Sequence, residues 1–133
     1  MNDAEVVYVT LDEWVHLAAE VLNVAPATIA QAANVHLADS ALHAPAASFG
    51  GHDAYPDVID KAAVLGWHLA NNHPLPDGNK RCAFITMIVF LKRNTIGWNP
   101  PDVDDAVATM LAVASRTLDV DGLATWLKAH TTR

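Results

Sequence analysis

Apolar residues recur along the chain at helical spacing, and clusters of Pro, Gly and Asn separate those stretches. Trp14, Leu17, Ala18, Val21 and Leu22 share one helical face behind the tetrapeptide Thr10-Leu-Asp-Glu13. That tetrapeptide is a capping box, with Thr10 at the N-cap and Glu13 reaching back to it. The helix is expected to end near Asn23, and Val6 to Val9 before it form a candidate short strand. Residues 28–44 are expected to be helical, with weak periodicity. Residues 45–55 (PAASFGGHDAY) then break any helix. Pro56 suits the first position of a new helix, which should run to about Asn71 with Val58, Ile59, Ala62, Leu65 and Leu69 facing inward. A loop over residues 72–78 carries two prolines, and the next helix is expected over residues 79–94. Its middle, CAFITMIVFL, is apolar on every face and marks a buried central helix. Beyond Gly97, Pro100 and Pro101, residues 102–114 place Val103, Val107, Met110, Leu111 and Ala114 at helical spacing. A last helix over residues 120–130 should bury Leu123, Ala124 and Leu127. No internal repeat or low-complexity linker divides the chain. The expected fold is therefore all-α: a single domain over residues 1–133, about six helices around a buried central one.

Composition narrows the function classes. The 133 residues are 52% hydrophobic and 17% charged, which excludes a disordered chain. The longest uncharged apolar run, Cys82 to Leu91, has ten residues, whereas a membrane span needs about 20. A formal net charge of −7 gives no general attraction to nucleic acid or anionic lipid. The first ten residues lack the basic and long apolar stretches of a secretory leader, and the one cysteine, Cys82, has no internal disulfide partner. A cytoplasmic protein is expected. Four of the eight Lys and Arg residues form two pairs, Lys80-Arg81 and Lys92-Arg93, bracketing the apolar run.

The first pair belongs to the segment His73–Arg81, HPLPDGNKR. A helix start carries unpaired N–H groups and partial positive charge. Gly78 lets backbone approach a ligand closely, and Lys80 and Arg81 add two full positive charges where helices ordinarily prefer acidic residues. An anion should offset that placement, and phosphate is the natural candidate. Asp77 is a hard oxygen ligand of the kind a magnesium–nucleotide site needs. His73 is the right type of group for a general base near neutral pH. Taken singly, each residue also has an ordinary reading. A loop histidine is most often structural, and six others (His16, His36, His43, His52, His68, His130) show no evident role. Asp77 alone reads first as a helix cap, and Lys80-Arg81 alone as a solvated helix start. It is their concentration within nine residues at a buried helix mouth that points to chemistry. The glycines do not form a Walker A loop, and no histidine pair has zinc-site spacing.

HPLPDGNKR resembles the Fic/Doc motif, roughly H-x-F-x-[DE]-[GA]-N-[GK]-R, and is closer to its Doc branch, the death-on-curing toxins of bacterial toxin–antitoxin pairs. Residues 41–94 are similar to that branch throughout. The resemblance implies a compact α-helical bundle with the motif between two central helices. It implies ATP and Mg2+ as cofactors, with His73 taking the proton from a target hydroxyl and Asp77 holding the nucleotide's magnesium. Gly78, Asn79 and Lys80 would line the anion hole, Asn79 and Arg81 would join the catalytic set, and Arg81 would bind phosphate oxygens. Ser48, Phe49, Gly50, Gly51, His52 and Asp53 correspond to the family's flap, which aligns the target chain by strand-like pairing. Leu75 replaces the usual Phe, an anchor of the loop in the core. Lys80 stands where adenylylating Fic enzymes have Gly, and a long cation there obstructs the pose that delivers AMP. Doc-type proteins carry this Lys and transfer the γ-phosphoryl group to a threonine of translation elongation factor Tu.

The expected activity is thus protein phosphorylation that stops translation. AMP transfer of the Fic type is the first rival, and a silent antitoxin-binding module the second. Many Fic proteins restrain themselves through a glutamate in a motif near [ST]-x-x-x-E-[GN]. The glutamates here, Glu5, Glu13 and Glu20, have Met1, Val9 and His16 four residues earlier, so none fits. Inhibition is therefore expected from a separate partner, a Phd-type antitoxin.

Overall fold

In the computed structural model, which describes residues 5–133, seven α-helices account for most of the chain. α1 (Leu11–Leu22) starts on the complete capping box: the Thr10 hydroxyl accepts from the Glu13 N–H, and the Glu13 carboxylate accepts from the Thr10 N–H. Trp14, Ala18 and Ala19 are its buried residues. The helical region of residues 28–44, whose weak periodicity leaves its continuity open, is two helices, α2 (Pro26–Ala32) and α3 (Val35–His43), broken where Asn34 turns to extended backbone and caps α3 through the Leu37 N–H. That break raises the helix number from about six to seven. A 3-10 turn, Ala44–Ala46, follows. β1 (Ser48–Phe49) and β2 (His52–Asp53) then pair as an antiparallel hairpin. Gly50 and Gly51 both take positive φ at its tip, as a two-residue turn of this hand requires.

α4 (Val58–Asn72) begins two residues later than Pro56 suggested, because Asp57 is the N-cap and accepts from the Ile59 N–H. It is buried all round from Lys61 to Gly66. α5 (Asn79–Arg93) lies against it, and Gly66 lets the helices approach so closely that an added Cβ would sit 2.6 Å from the Met87 sulfur. The core is therefore built on two central helices, where the apolar pattern alone suggested one. β3 (Gly97–Trp98) pairs with β4 (Thr131–Thr132). Between them come α6 (Val103–Ala114) and α7 (Val120–Ala129), with Leu123, Ala124 and Leu127 buried as expected. α6 forms as expected, but its apolar stripe is split: Met110 is buried with Thr109 and Val113, whereas Val103 is 74% exposed, Val107 53% and Leu111 52%.

Val6 to Val9 form no strand. The segment is held instead by Asn94, whose side chain accepts from the Val7 N–H and donates to its carbonyl. The leader reading rests partly on residues 1–4, which lie outside the described residues. No helix among the described residues is long and apolar enough to cross a membrane.

Candidate functional site

The junction between the two central helices is pinned at several points. His73 ends α4 in the left-handed conformation, φ 50°. Its neighbours are tied down on both sides. The Asn72 side chain donates to the Leu37 carbonyl, and the Pro74 carbonyl accepts from the Asn34 N–H at 2.7 Å. Leu75 is buried, so it does anchor the loop in the core. Asn79 completes the clamp: its carboxamide accepts from the Leu75 N–H at 3.0 Å and donates to the Leu75 carbonyl at 2.8 Å. The His73 ring itself is exposed and makes no hydrogen bond among the described residues. Fixed backbone and a free imidazole are what a general base requires, since geometry must be set before the proton moves.

The start of α5 is left bare. Gly78 is its N-cap, at φ 83°, and supplies no side-chain cap. A Cβ at that position would strain the backbone and meet the flexible end of the Leu22 side chain at 2.6 Å, so glycine is favoured. Asp77 does not cap the helix; its carboxylate accepts from the adjacent Gly78 N–H and is otherwise exposed. The first intrahelical bond runs from Cys82 to Gly78, leaving the Asn79, Lys80 and Arg81 N–H groups without helical partners. No acidic residue sits in the first turn, and neither Lys80 nor Arg81 forms an ion pair among the described residues. Partial positive charge and two unneutralised cations therefore face the same space.

That space is a cleft of about 590 Å³. Asp77, Gly78, Asn79, Lys80 and Arg81 form its polar end, while Phe84, Trp98, Val103, Val107 and Leu111 form an apolar wall. This explains the exposed face of α6: its apolar stripe lines the cleft instead of the core. A periodic stripe is the same in sequence whether it meets a core or a groove, so the pattern finds the residues without naming their neighbour. Five of the motif residues thus meet at one cleft. His73 and the hairpin residues Ser48 to Asp53 are not among its lining residues. Phe49, at the hairpin tip, is 87% exposed.

The other reactive-looking groups are quiet. Burial pushes the Cys82 thiol up to about 11, so it carries no thiolate at neutral pH. No group of three His, Cys, Asp or Glu among the described residues could hold a metal on protein ligands alone. A lone exposed Asp77 beside the unpartnered N–H groups at the start of α5 instead has the chemistry for a hard divalent cation shared with bound phosphates, since magnesium commonly takes one or two carboxylates plus substrate oxygens.

One residue escaped the sequence reading. Lys61 on α4 is fully buried; its ammonium donates to the Pro45 carbonyl at 3.1 Å and to the Asp53 carboxylate at 3.3 Å. A lysine among Ala and Val residues gives no signal of burial, because its charge argues for the surface.

A helical bundle with the motif at the junction of its two central helices is the architecture that the resemblance implied. The model described as the Fic/DOC family matches residues 8–91. Toxin Doc of Mycolicibacterium smegmatis (strain ATCC 700084 / mc(2)155) is 45% identical over 89 residues, which cover 66% of this chain and 68% of that protein. The chain belongs to the Fic/DOC family, in its Doc branch.

Proposed function

We propose that this chain is a Doc-type toxin that transfers the γ-phosphoryl group of ATP to a threonine of elongation factor Tu and thereby arrests translation. The observation that carries the proposal is the uncapped start of α5, with Lys80 and Arg81 unpaired at the polar end of the cleft. Phosphoryl transfer is mostly positioning plus electrostatic stabilisation, and such a helix mouth supplies both. Arg81 and the Asn79 and Lys80 N–H groups would bind phosphate oxygens. Asp77 would hold magnesium, which when bound neutralises phosphate charge. His73 would accept the proton of the target hydroxyl as its oxygen bonds to phosphorus and the bond to the ADP oxygen breaks. The hairpin of Ser48 to Asp53 would align the target chain.

Lys80 supports γ-phosphoryl over AMP transfer, because it stands where adenylylating Fic enzymes have Gly and a long cation there would obstruct the α-phosphate's approach to the backbone. The site's openness also fits a toxin restrained in trans. Glu13 is engaged by Arg93 and Thr10, and Arg81 makes no ion pair with any described glutamate. A Phd-type antitoxin would supply the inhibition, with a tail that folds on binding.

Incubation of the purified chain and elongation factor Tu with γ-labelled or α-labelled ATP tests the reading. The γ-label should appear on the factor. The α-label on the factor would replace the proposal with AMP transfer. Expression of the chain alone should arrest growth, and coexpression of the antitoxin should relieve it.

A further inference from the structure

Among the described residues, no hydrogen bond joins residues 48–53 to a helix other than the one from Lys61 to Asp53. The hairpin base is otherwise closed on itself, the Ala54 N–H donating to the Ala47 carbonyl at 2.8 Å. Lys61 is an unusual anchor. Its side chain has 0% exposure while that of Asp53 has 55%, so a charge inside the core holds one at the surface. The same ammonium donates to Pro45 in the turn leading into the hairpin, and lies 5.9 Å from the Tyr8 ring centroid. It therefore grips both ends of the segment that carries Ser48 to Asp53. Keeping an ammonium in a dry core is costly unless it is paired, and an apolar side chain of similar volume is often at least as stable. Core stability therefore does not account for a lysine here, whereas fixing the hairpin does. Lys61 also shares α4 with His73, which ends that helix. A rigid helix thus connects the hairpin's anchor to the proposed base.

We propose that Lys61 is a positioning residue for the protein substrate: by clamping Asp53 and Pro45 to α4, it holds the flap hairpin in register with His73. This rests on the reading of the hairpin as the target-aligning element. Lys61→Met keeps the side chain's length and fills its place in the core while removing the charge. Two measurements on the full chain test the proposal. The first needs no target: chymotrypsin cleavage between Phe49 and Gly50 should accelerate several-fold in Lys61→Met at unchanged thermal stability. The second is steady-state transfer of the γ-label to elongation factor Tu. The KM for the factor should rise roughly tenfold to a hundredfold, as for a misplaced reacting group, while the KM for ATP stays at the wild-type value. A general structural role would move both KM values and the melting temperature together. Wild-type cleavage at Phe49 in a folded Lys61→Met chain, or equal changes in the two KM values, would overturn the proposal. If Lys61→Met does not fold, Asp53→Asn removes the same ion pair from the solvent side and should give the same cleavage change. If the wild-type chain transfers no label to the factor, the proposed function fails on that result, and the cleavage rates decide whether Lys61 clamps the hairpin.

Discussion

The two ends of α5 carry the same dipeptide chemistry and opposite physics. At the C-terminal end, Lys92 and Arg93 lie where the helix dipole welcomes positive charge. Arg93 is also paired with Glu13 at 2.6 Å, and Asn94 closes the end by donating to the Phe90 carbonyl. At the N-terminal end, Lys80 and Arg81 oppose the dipole, have no acidic neighbour in the first turn and follow a glycine that cannot cap. One end is arranged for stability; the other leaves every favourable interaction open for a ligand. The contrast teaches where to look for function in a stable fold: a helix start that violates the ordinary rules while its other end obeys them.

Breaking the open end should cost activity and leave the fold standing. His73→Ala removes the proposed proton acceptor, and transfer should fall by about 10²–10⁴-fold. The side chain is exposed and unbonded, so the thermal transition should barely move. Retained transfer in a folded His73→Ala chain would exclude this imidazole as the base. Asp77→Asn should follow, with most activity lost and a weakened dependence on magnesium, because an amide is the poorer ligand for a hard cation. A magnesium titration superimposable on wild type would reduce Asp77 to its bond with Gly78.

Breaking the closed end should do the reverse. Thr10→Ala deletes the hydroxyl that caps α1 beside the Glu13–Arg93 pair, and stability should drop by about 1 kcal/mol with transfer intact. The same corner gives an acid dependence. The Thr10 N–H, against some burial, and then the Thr10 hydroxyl and Arg93 hold the Glu13 carboxyl below its ordinary 4.5. A folded-state value below the unfolded one means that this contribution is present above pH 4.5 and fades as pH falls through the folded-state value. Urea midpoints measured from pH 6 to 3 should therefore decline less steeply in Glu13→Gln than in wild type; parallel curves would rule out Glu13 as a source of acid sensitivity.

How much of this was readable in the sequence depended on range. The motif was legible because His73 to Arg81 are consecutive, so chemistry and helix start coincide in nine letters. α1 and α7 were legible because their buried residues repeat at helical spacing and Thr10 announces its helix. Residues 28–44 were legible as helical but not as two helices, because alanine-rich stretches have little periodicity and the break at Asn34 needs its cap to be seen. The strands, two residues each, are too short for an alternating pattern to register. The α6 stripe was legible, but not that it faces the cleft, because periodicity is the same on a core and on a groove. Lys61 was invisible because its partners, Pro45 and Asp53, are set by tertiary packing. Within the site, the sequence marked Asn79 as a catalytic and anion-hole residue; only the fold shows its carboxamide committed to Leu75, leaving the backbone N–H for the cleft.

The smallest expected effect sharpens the comparison most directly, because it asks the two ends the same question. Lys80 and Lys92 are both exposed lysines of one helix and neither forms an ion pair among the described residues. Changing each to glutamate alters charge by the same amount in opposite dipole environments. Lys80→Glu places a carboxylate beside three unpartnered N–H groups and should stabilise the fold by about 0.3–1 kcal/mol at low salt. Lys92→Glu puts it against the last carbonyls and should destabilise by a similar amount, about 0.3–1 kcal/mol. Both shifts should shrink as salt is added, since the interaction is exposed and screened. Transfer should separate the two as well: Lys80→Glu repels phosphate at the cleft and loses activity while gaining stability, whereas Lys92→Glu loses stability and keeps activity. Thermal shifts of the same sign for both variants would mean that local contacts, not the helix field, govern these positions. In that case the exposed cations at the start of α5 would cease to be a sign of a missing anion.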